Sequence, residues 1–187
     1  MTAKQYQEFI LPRIAIKLNN LETLSEWSAF RGMSYQYSPR VDLAVGPFSI
    51  TPNRNQTEEY NRILQNETID RFLRKAYDYH VENVGEEWLN EITIPEFDIL
   101  KHKNQNARCF LAIEIENTST KKHIMGSMVN AASLGRIGIG IAYNESVKRT
   151  FLRILNYLAF LKRVEKNTYD TTNFLILTKE QLETLTE

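Results

Sequence analysis

The stretch Phe110-Leu111-Ala112-Ile113-Glu114-Ile115-Glu116-Asn117 decides how this chain is read, because it has the composition of a buried strand yet carries two carboxylates. Side chains alternate along a strand, so Ala112, Glu114 and Glu116 point one way and Leu111, Ile113 and Ile115 the other. Like charges held side by side resist burial until water, a basic partner or a divalent cation neutralises them. A simpler account is an edge strand with its acidic face in water. The neighbouring sequence weighs one against the other.

On the C-terminal side, Asn117-Thr118-Ser119-Thr120 supplies N-cap residue types for a helix over about 121–134, closed by Gly135. The small residues Gly126, Asn130, Ala131 and Ala132 would let that helix lie close to a sheet. Ile137-Gly138-Ile139-Gly140-Ile141-Ala142 reads as a second buried strand. Strand, helix and strand with short connections make a right-handed crossover, so the two strands should run parallel. An amphipathic helix over 145–166, with Val147, Phe151, Ile154, Leu155, Leu158 and Leu161 inward, a strand over 173–177 and a short terminal helix follow.

On the N-terminal side, Tyr6, Phe9, Ile10, Ile14, Leu18, Leu21 and Leu24 recur at helical spacing up to about Trp27, with Pro12 marking a kink or break. Arg31-Gly32 turns the chain into a strand over 33–37, and Val41-Asp42-Leu43-Ala44-Val45 is another, stopped by Gly46-Pro47. Residues 57–81 are polar and helical, and about 53–90 reads as a helical insertion. Residues 86–106 are irregular and end in the polar run Lys101-His102-Lys103-Asn104-Gln105-Asn106. The order is that of one α/β domain over 1–187, a mixed β-sheet flanked by helices.

A chain of 187 residues with 42% hydrophobic composition is long enough for one sizeable core. Its 23 basic and 23 acidic residues cancel, so no global basic field announces a nucleic acid, which would be met by local patches. The single cysteine, Cys109, excludes an internal disulfide and is expected to be a small core residue. No apolar leader or membrane span is read, so a cytoplasmic location without membrane contact is expected. Asn66-Glu67-Thr68 and Asn144-Glu145-Ser146 then match the glycosylation pattern by chance.

Three features form an ordered set: Asp42 within Pro39-Arg40-Val41-Asp42, the pair Glu114 and Glu116, and a helix leading to a parallel strand. This set resembles the PD-(D/E)xK nuclease superfamily, the restriction-endonuclease-like fold, over roughly residues 18–143. The resemblance implies a helix, an antiparallel meander, then a helix and a parallel strand. Asp42 matches the first acid of the motif and Glu114 the second. Glu116 stands where most members place a Lys, as in the Glu-x-Glu variant of some type II restriction endonucleases. The implied cofactor is Mg²⁺ or Mn²⁺, held by Asp42, Glu114, the Ile115 carbonyl and Glu116. The implied activity is DNA phosphodiester hydrolysis by a homodimer, with RNA left open as substrate.

The residue types suit that chemistry, since hard cations on carboxylates stabilise phosphate oxygens and activate water. Glu116 would be a ligand to a second metal or the base that orients the water, with Lys122 sharing the duty. Lys121, Lys122 and His123 begin a helix, where the dipole favours phosphate. Arg149, Arg153, Asn156 and Arg163 share a helix face that would track a nucleic-acid backbone, and Lys101, Lys103 and Arg108 precede the acidic strand. Plain alternatives stand beside these: a surface acid at Asp42, a solvated helix start at 121–123, a charged outer face for the arginines. Glu22 and Glu26, on the first helix, would be accessory acids. The rival function is a module that keeps the fold without catalysis and binds nucleic acid or assembles, which loss of the usual Lys favours.

Overall fold

The computed structural model describes residues 1–30, 38–49, 56–89 and 91–187. Among them, β1 (Thr23–Ser28), β2 (Arg40–Val45), β3 (Cys109–Glu116), β4 (Gly135–Ala142) and β5 (Phe174–Thr178) form one sheet in that spatial order. The β1–β2 and β2–β3 pairs are antiparallel, and the β3–β4 and β4–β5 pairs are parallel. The crossover expected after the acidic strand is therefore present, through helix α5 (Lys121–Leu134). The strand expected over 33–37 lies outside the described residues.

β3 is the middle strand and every one of its residues is buried, which removes the edge-strand account. Leu111, Ile113 and Ile115 pack with Tyr6, Ile10 and Ile14 of α1 (Ala3–Lys17) and Leu182 of α7 (Lys179–Thr186). Ala112, on the opposite face, packs with Ile124 and Met128 of α5 and Phe151 and Leu155 of α6 (Glu145–Arg163). Glu114 and Glu116 alternate onto this second face, beneath α5.

The close approach of α5 to the sheet has a different origin from the one expected. A Cβ on Gly138 would lie 2.8 Å from the Ala131 carbonyl carbon and 2.9 Å from Phe174, so the small residue that admits the helix is on β4. Ala131 and Ala132 are buried as expected, but Gly126 is exposed with open space where its Cβ would be. Thr120 is the N-cap without making a side-chain cap bond. Both glycosylation-like asparagines are caps: Asn144 Oδ1 accepts from Val147 N–H, and Asn66 Oδ1 from Thr68 and Ile69 N–H.

The first helix is shorter than its spacing predicts. It ends at Lys17, and Asn19 and Asn20 take left-handed φ values of 56° and 59°, which asparagine tolerates better than most residues. Leu24 and Trp27, helical by spacing, lie on β1 instead. Pro12 sits inside a continuous α1.

The helical region after β2 contains α2 (Thr57–Ile63), α3 (Glu67–Leu89) and α4 (Phe97–Leu100), and α3 is interrupted at Gly85, with φ 61°. Tyr60, Leu64, Leu73 and Ala76 from this region share the core of α1 and the sheet. α3 also covers the open edge of β5. Ile176 N–H donates to His80 Nδ1 at 3.1 Å, and Asn83 Nδ2 donates to the Ile176 carbonyl at 2.9 Å, which satisfies an edge that would otherwise invite another strand. Asn83→Ala should therefore cost about 1–2 kcal/mol and speed amide exchange along β5, measured by thermal melting and hydrogen exchange.

The polar run before β3 is fastened down rather than free. Arg136, fully buried, donates from Nε to the Lys101 carbonyl and from Nη1 to the Asn104 carbonyl. Lys101 also pairs with Asp70 and Asp98. This run lies at the Cys109 end of β3, whereas Glu114 and Glu116 lie at the other, so Lys101, Lys103 and Arg108 do not adjoin the acids.

Candidate metal and nucleic-acid site

The β2–β3 ladder stops at Leu43↔Ile113, although β1–β2 continues to Ser28↔Arg40 and β3–β4 continues to Glu116↔Ala142. The sheet forks there, and the acids occupy the fork. Asp42 Oδ2 accepts from the Ile115 N–H at 2.7 Å, and the Asp42 N–H lies 3.4 Å from Glu114 Oε2 as donor. The long stretch between Asp42 and Glu114 thus loops out through α2, α3 and α4 and returns. In an extended strand a residue's N–H and C=O point to the same side, so the Ile115 carbonyl also faces the fork.

The fork opens into a pocket of about 620 Å³ whose wall includes Gln7, Glu26, Asp42, Glu114, Glu116, Lys122 and His123. Glu114 and Glu116 are only 6% and 3% exposed. Glu116 is turned toward α5, where Ser127 Oγ donates to its Oε1 at 2.6 Å and His123 Nε2 lies 3.4 Å away. Among the described residues Glu114 has no ion-pair partner, and no three acids, histidines or cysteines converge into a ready-made metal cage. The ligand set on offer is therefore the Asp42 and Glu114 carboxylates with the Ile115 carbonyl, and Glu116 stands beside it, held by the Ser127 hydrogen bond and the His123 contact.

Burial pushes the Asp42 carboxyl up to about 6; the charges of Glu26 and Glu116 add to this, and the Ile115 N–H and the Gln7 side chain oppose it. Glu114 is raised well above the ordinary carboxyl range, by burial first and by the Asp42 charge second. Burial also raises Glu116, against the stabilising Ser127 hydroxyl and His123. Asp42 and Glu114 are thus raised together with no basic side chain among the described residues offsetting either, an electrostatic deficit of the kind a hard divalent cation corrects.

Glu26 is not on the first helix. It lies in β1 between residues paired to Leu43 and Val41, which sets it across from Asp42, and its φ is 51° in the left-handed region. Arg40 Nε lies 2.9 Å from its Oε2. A non-glycine residue held this way in a strand costs roughly 1 kcal/mol or more. Glu26→Gly is expected to raise stability by about 1 kcal/mol in a melting experiment, since it relieves the backbone and removes an acid that repels Asp42. Glu22, in the link before β1, is exposed and does not line the pocket.

The expected basic residues divide into two groups. Lys122 lines the acidic pocket, while Lys121 joins Ser119, Arg149 and Arg153 around an adjacent depression of about 450 Å³. Arg149 is paired with Glu145 at 3.3 Å. Arg163, farther along α6, points to Glu91 instead and leaves this group. The residues that sequence reasoning missed are Ser127 and Gln7. Ser127 falls on the inward stripe Ile124, Ser127, Met128, Ala131, and a hydroxyl on an apolar stripe is the signal that marked it.

Compared with protein-family models, with curated proteins and with solved structures, the chain matches none.

Proposed function

We propose that the chain is a divalent-metal-dependent endonuclease that hydrolyses DNA phosphodiester bonds, of restriction or defence type, with a restriction-endonuclease-like fold. The observation that carries this reading is the forked sheet that joins Asp42 to Glu114 beside the Ile115 carbonyl, with neither carboxylate ion-paired to a basic side chain among the described residues. Helix, antiparallel strands, crossover helix and parallel strand also follow the order that the PD-(D/E)xK resemblance implies.

Asp42, Glu114 and the Ile115 carbonyl would hold Mg²⁺ or Mn²⁺, which supplies charge stabilisation to the phosphate and an acidified water. Asp42 is oriented by the Ile115 N–H and the Gln7 side chain, and its carboxylate would face the cation from there. Glu116, with its Oε1 held by Ser127 and near His123, would accept a proton from a water that approaches the phosphate. Lys122 contributes positive charge at the pocket rim. Lys121, Arg149 and Arg153 would hold the neighbouring phosphates, a contact that positions the strand without reading bases. A symmetric homodimer is the assembly that would cut both strands of duplex DNA.

The second reading is a fold kept for binding without cleavage. It rests on Glu116, a carboxylate engaged with α5 where a Lys is usual. Labelled duplex DNA and single-stranded RNA, incubated with the protein and Mg²⁺, separate the readings. Cleavage of DNA supports the first and cleavage of RNA alone redirects the substrate. Retention of DNA in a binding assay with no cleavage under any divalent cation supports the second.

A further inference from the structure

A second pocket, of about 320 Å³, lies on the far side of β4 from Glu114, between α6, the start of β5 and residues 91–95. Its wall is formed mainly by Ile92, Ile94, Leu158, Ala159 and Phe174, and His80 reaches it from α3. His80 is 3% exposed. Its Nδ1 accepts from the Ile176 N–H, so the neutral ring carries its proton on Nε2. Burial lowers its pKa to about 4, which keeps that tautomer neutral in ordinary buffers.

Nε2 has no protein partner among the described residues, and the only sealed, unpartnered side-chain polar atoms there belong to Asn167. Nε2–H is therefore a donor that keeps access to the pocket His80 lines. Thr93, Thr171, Thr172 and Tyr169 also line the pocket, but His80 Nε2–H is the donor held in place by a buried ring, and beside a largely apolar wall it favours a ligand that brings one acceptor and otherwise apolar surface. Each cation of the lining faces an acid, Lys162 facing Asp170 at 2.6 Å and Arg163 facing Glu91 at 3.9 Å, so the charges there balance and do not select an anion. We propose that this pocket binds a small, uncharged, single-ring compound whose one acceptor, a carbonyl oxygen or ring nitrogen, accepts a hydrogen bond from His80 Nε2. The proposal is independent of the carboxylate site.

Acetophenone and toluene serve as probes in NMR titrations of the full chain. Acetophenone is expected to shift the methyl resonances of Ile92, Ile94 and Leu158 and to move the His80 Nε2 proton downfield, whereas toluene leaves that proton in place. Ala159→Phe, which fills the pocket from a half-buried position, should weaken acetophenone binding by about tenfold or more. Absence of pocket shifts up to the solubility limit, equal movement of the His80 proton by both probes, or unchanged binding in folded Ala159→Phe would each overturn the proposal. The wild-type titration decides the matter alone if that variant does not fold.

Discussion

Glu114→Gln is expected to melt above the wild type at about pH 8 without metal, and to lose the stabilisation that Mg²⁺ gives the wild type. Gln keeps an oxygen that can accept from the Asp42 N–H and removes the charge that burial and Asp42 both disfavour. Asp42 carries a penalty of the same sign on its own account: its pKa rises from 3.8 to about 6, so the folded state holds a proton there that the unfolded chain has released between those values. Stability falls as pH rises through that window, and above about pH 6 the full penalty of roughly 3 kcal/mol is felt. His80 has the opposite sign. Its folded pKa of about 4 lies below 6.5, so its contribution is complete above 6.5 and is lost as pH falls toward 4. The difference between variant and wild type cancels His80 and isolates the acids.

Relief of the Glu114 charge should raise Tm by about 2–4 °C per kcal/mol recovered in a chain of this size. A cation present at about a hundredfold its Kd should stabilise the wild type by about 2.7 kcal/mol. That gain should be absent from Glu114→Gln. Differential scanning fluorimetry from about pH 4 to 8, with and without Mg²⁺, checks both halves. A variant that melts lower at pH 8 would show that the acids are not repelling one another.

Arg136→Met is expected to be the most damaging single change outside the hydrophobic core. The guanidinium is fully buried and has no carboxylate partner among the described residues; its fork is met by the Lys101 and Asn104 carbonyls, Asn61 Oδ1 at 2.9 Å and His102 Nδ1 at 2.8 Å. Met fills much of the volume but leaves those acceptors facing an apolar side chain. Each unsatisfied buried group costs about 1–3 kcal/mol, so a total loss of about 3–5 kcal/mol is expected, a Tm drop of roughly 10 °C. Arg136→Lys should rescue little, because an ammonium cannot span acceptors arranged around a planar fork. The Asn104 side chain adds to the expected damage, since its Nδ2 donates to the Ala132, Ser133 and Gly135 carbonyls and ties the same turn to the end of α5.

The C-terminal half of the fold was legible because its periods are unmixed. The apolar run of β3, the helix stripe of α5 and the Ile-Gly alternation of β4 each fit one element, and short links leave one crossover. The N-terminal half was misread where two periods coincide: Leu21, Leu24 and Trp27 suit a helix by spacing, and only the left-handed Asn19 and Asn20 show that the chain has turned. The acids of the site were visible as residue types, since a buried strand rarely carries two carboxylates. Their partners were not. Ser127 and Gln7 reach the acids through tertiary packing, and Glu26 faces Asp42 only because β1 pairs with β2. Arg136 gave no signal, because its partners lie on α2 and on a turn whose sequence reads as a solvated loop.

The most direct test of the metal-dependent nuclease is the nicking of supercoiled plasmid DNA by wild-type protein and by Glu114→Ala, side by side, in EDTA and in Mg²⁺ or Mn²⁺. The account predicts cleavage by the wild type only when the divalent cation is present, and none by Glu114→Ala. Cleavage that persists in Glu114→Ala, or a wild type that neither binds the cation nor nicks any DNA, would contradict it.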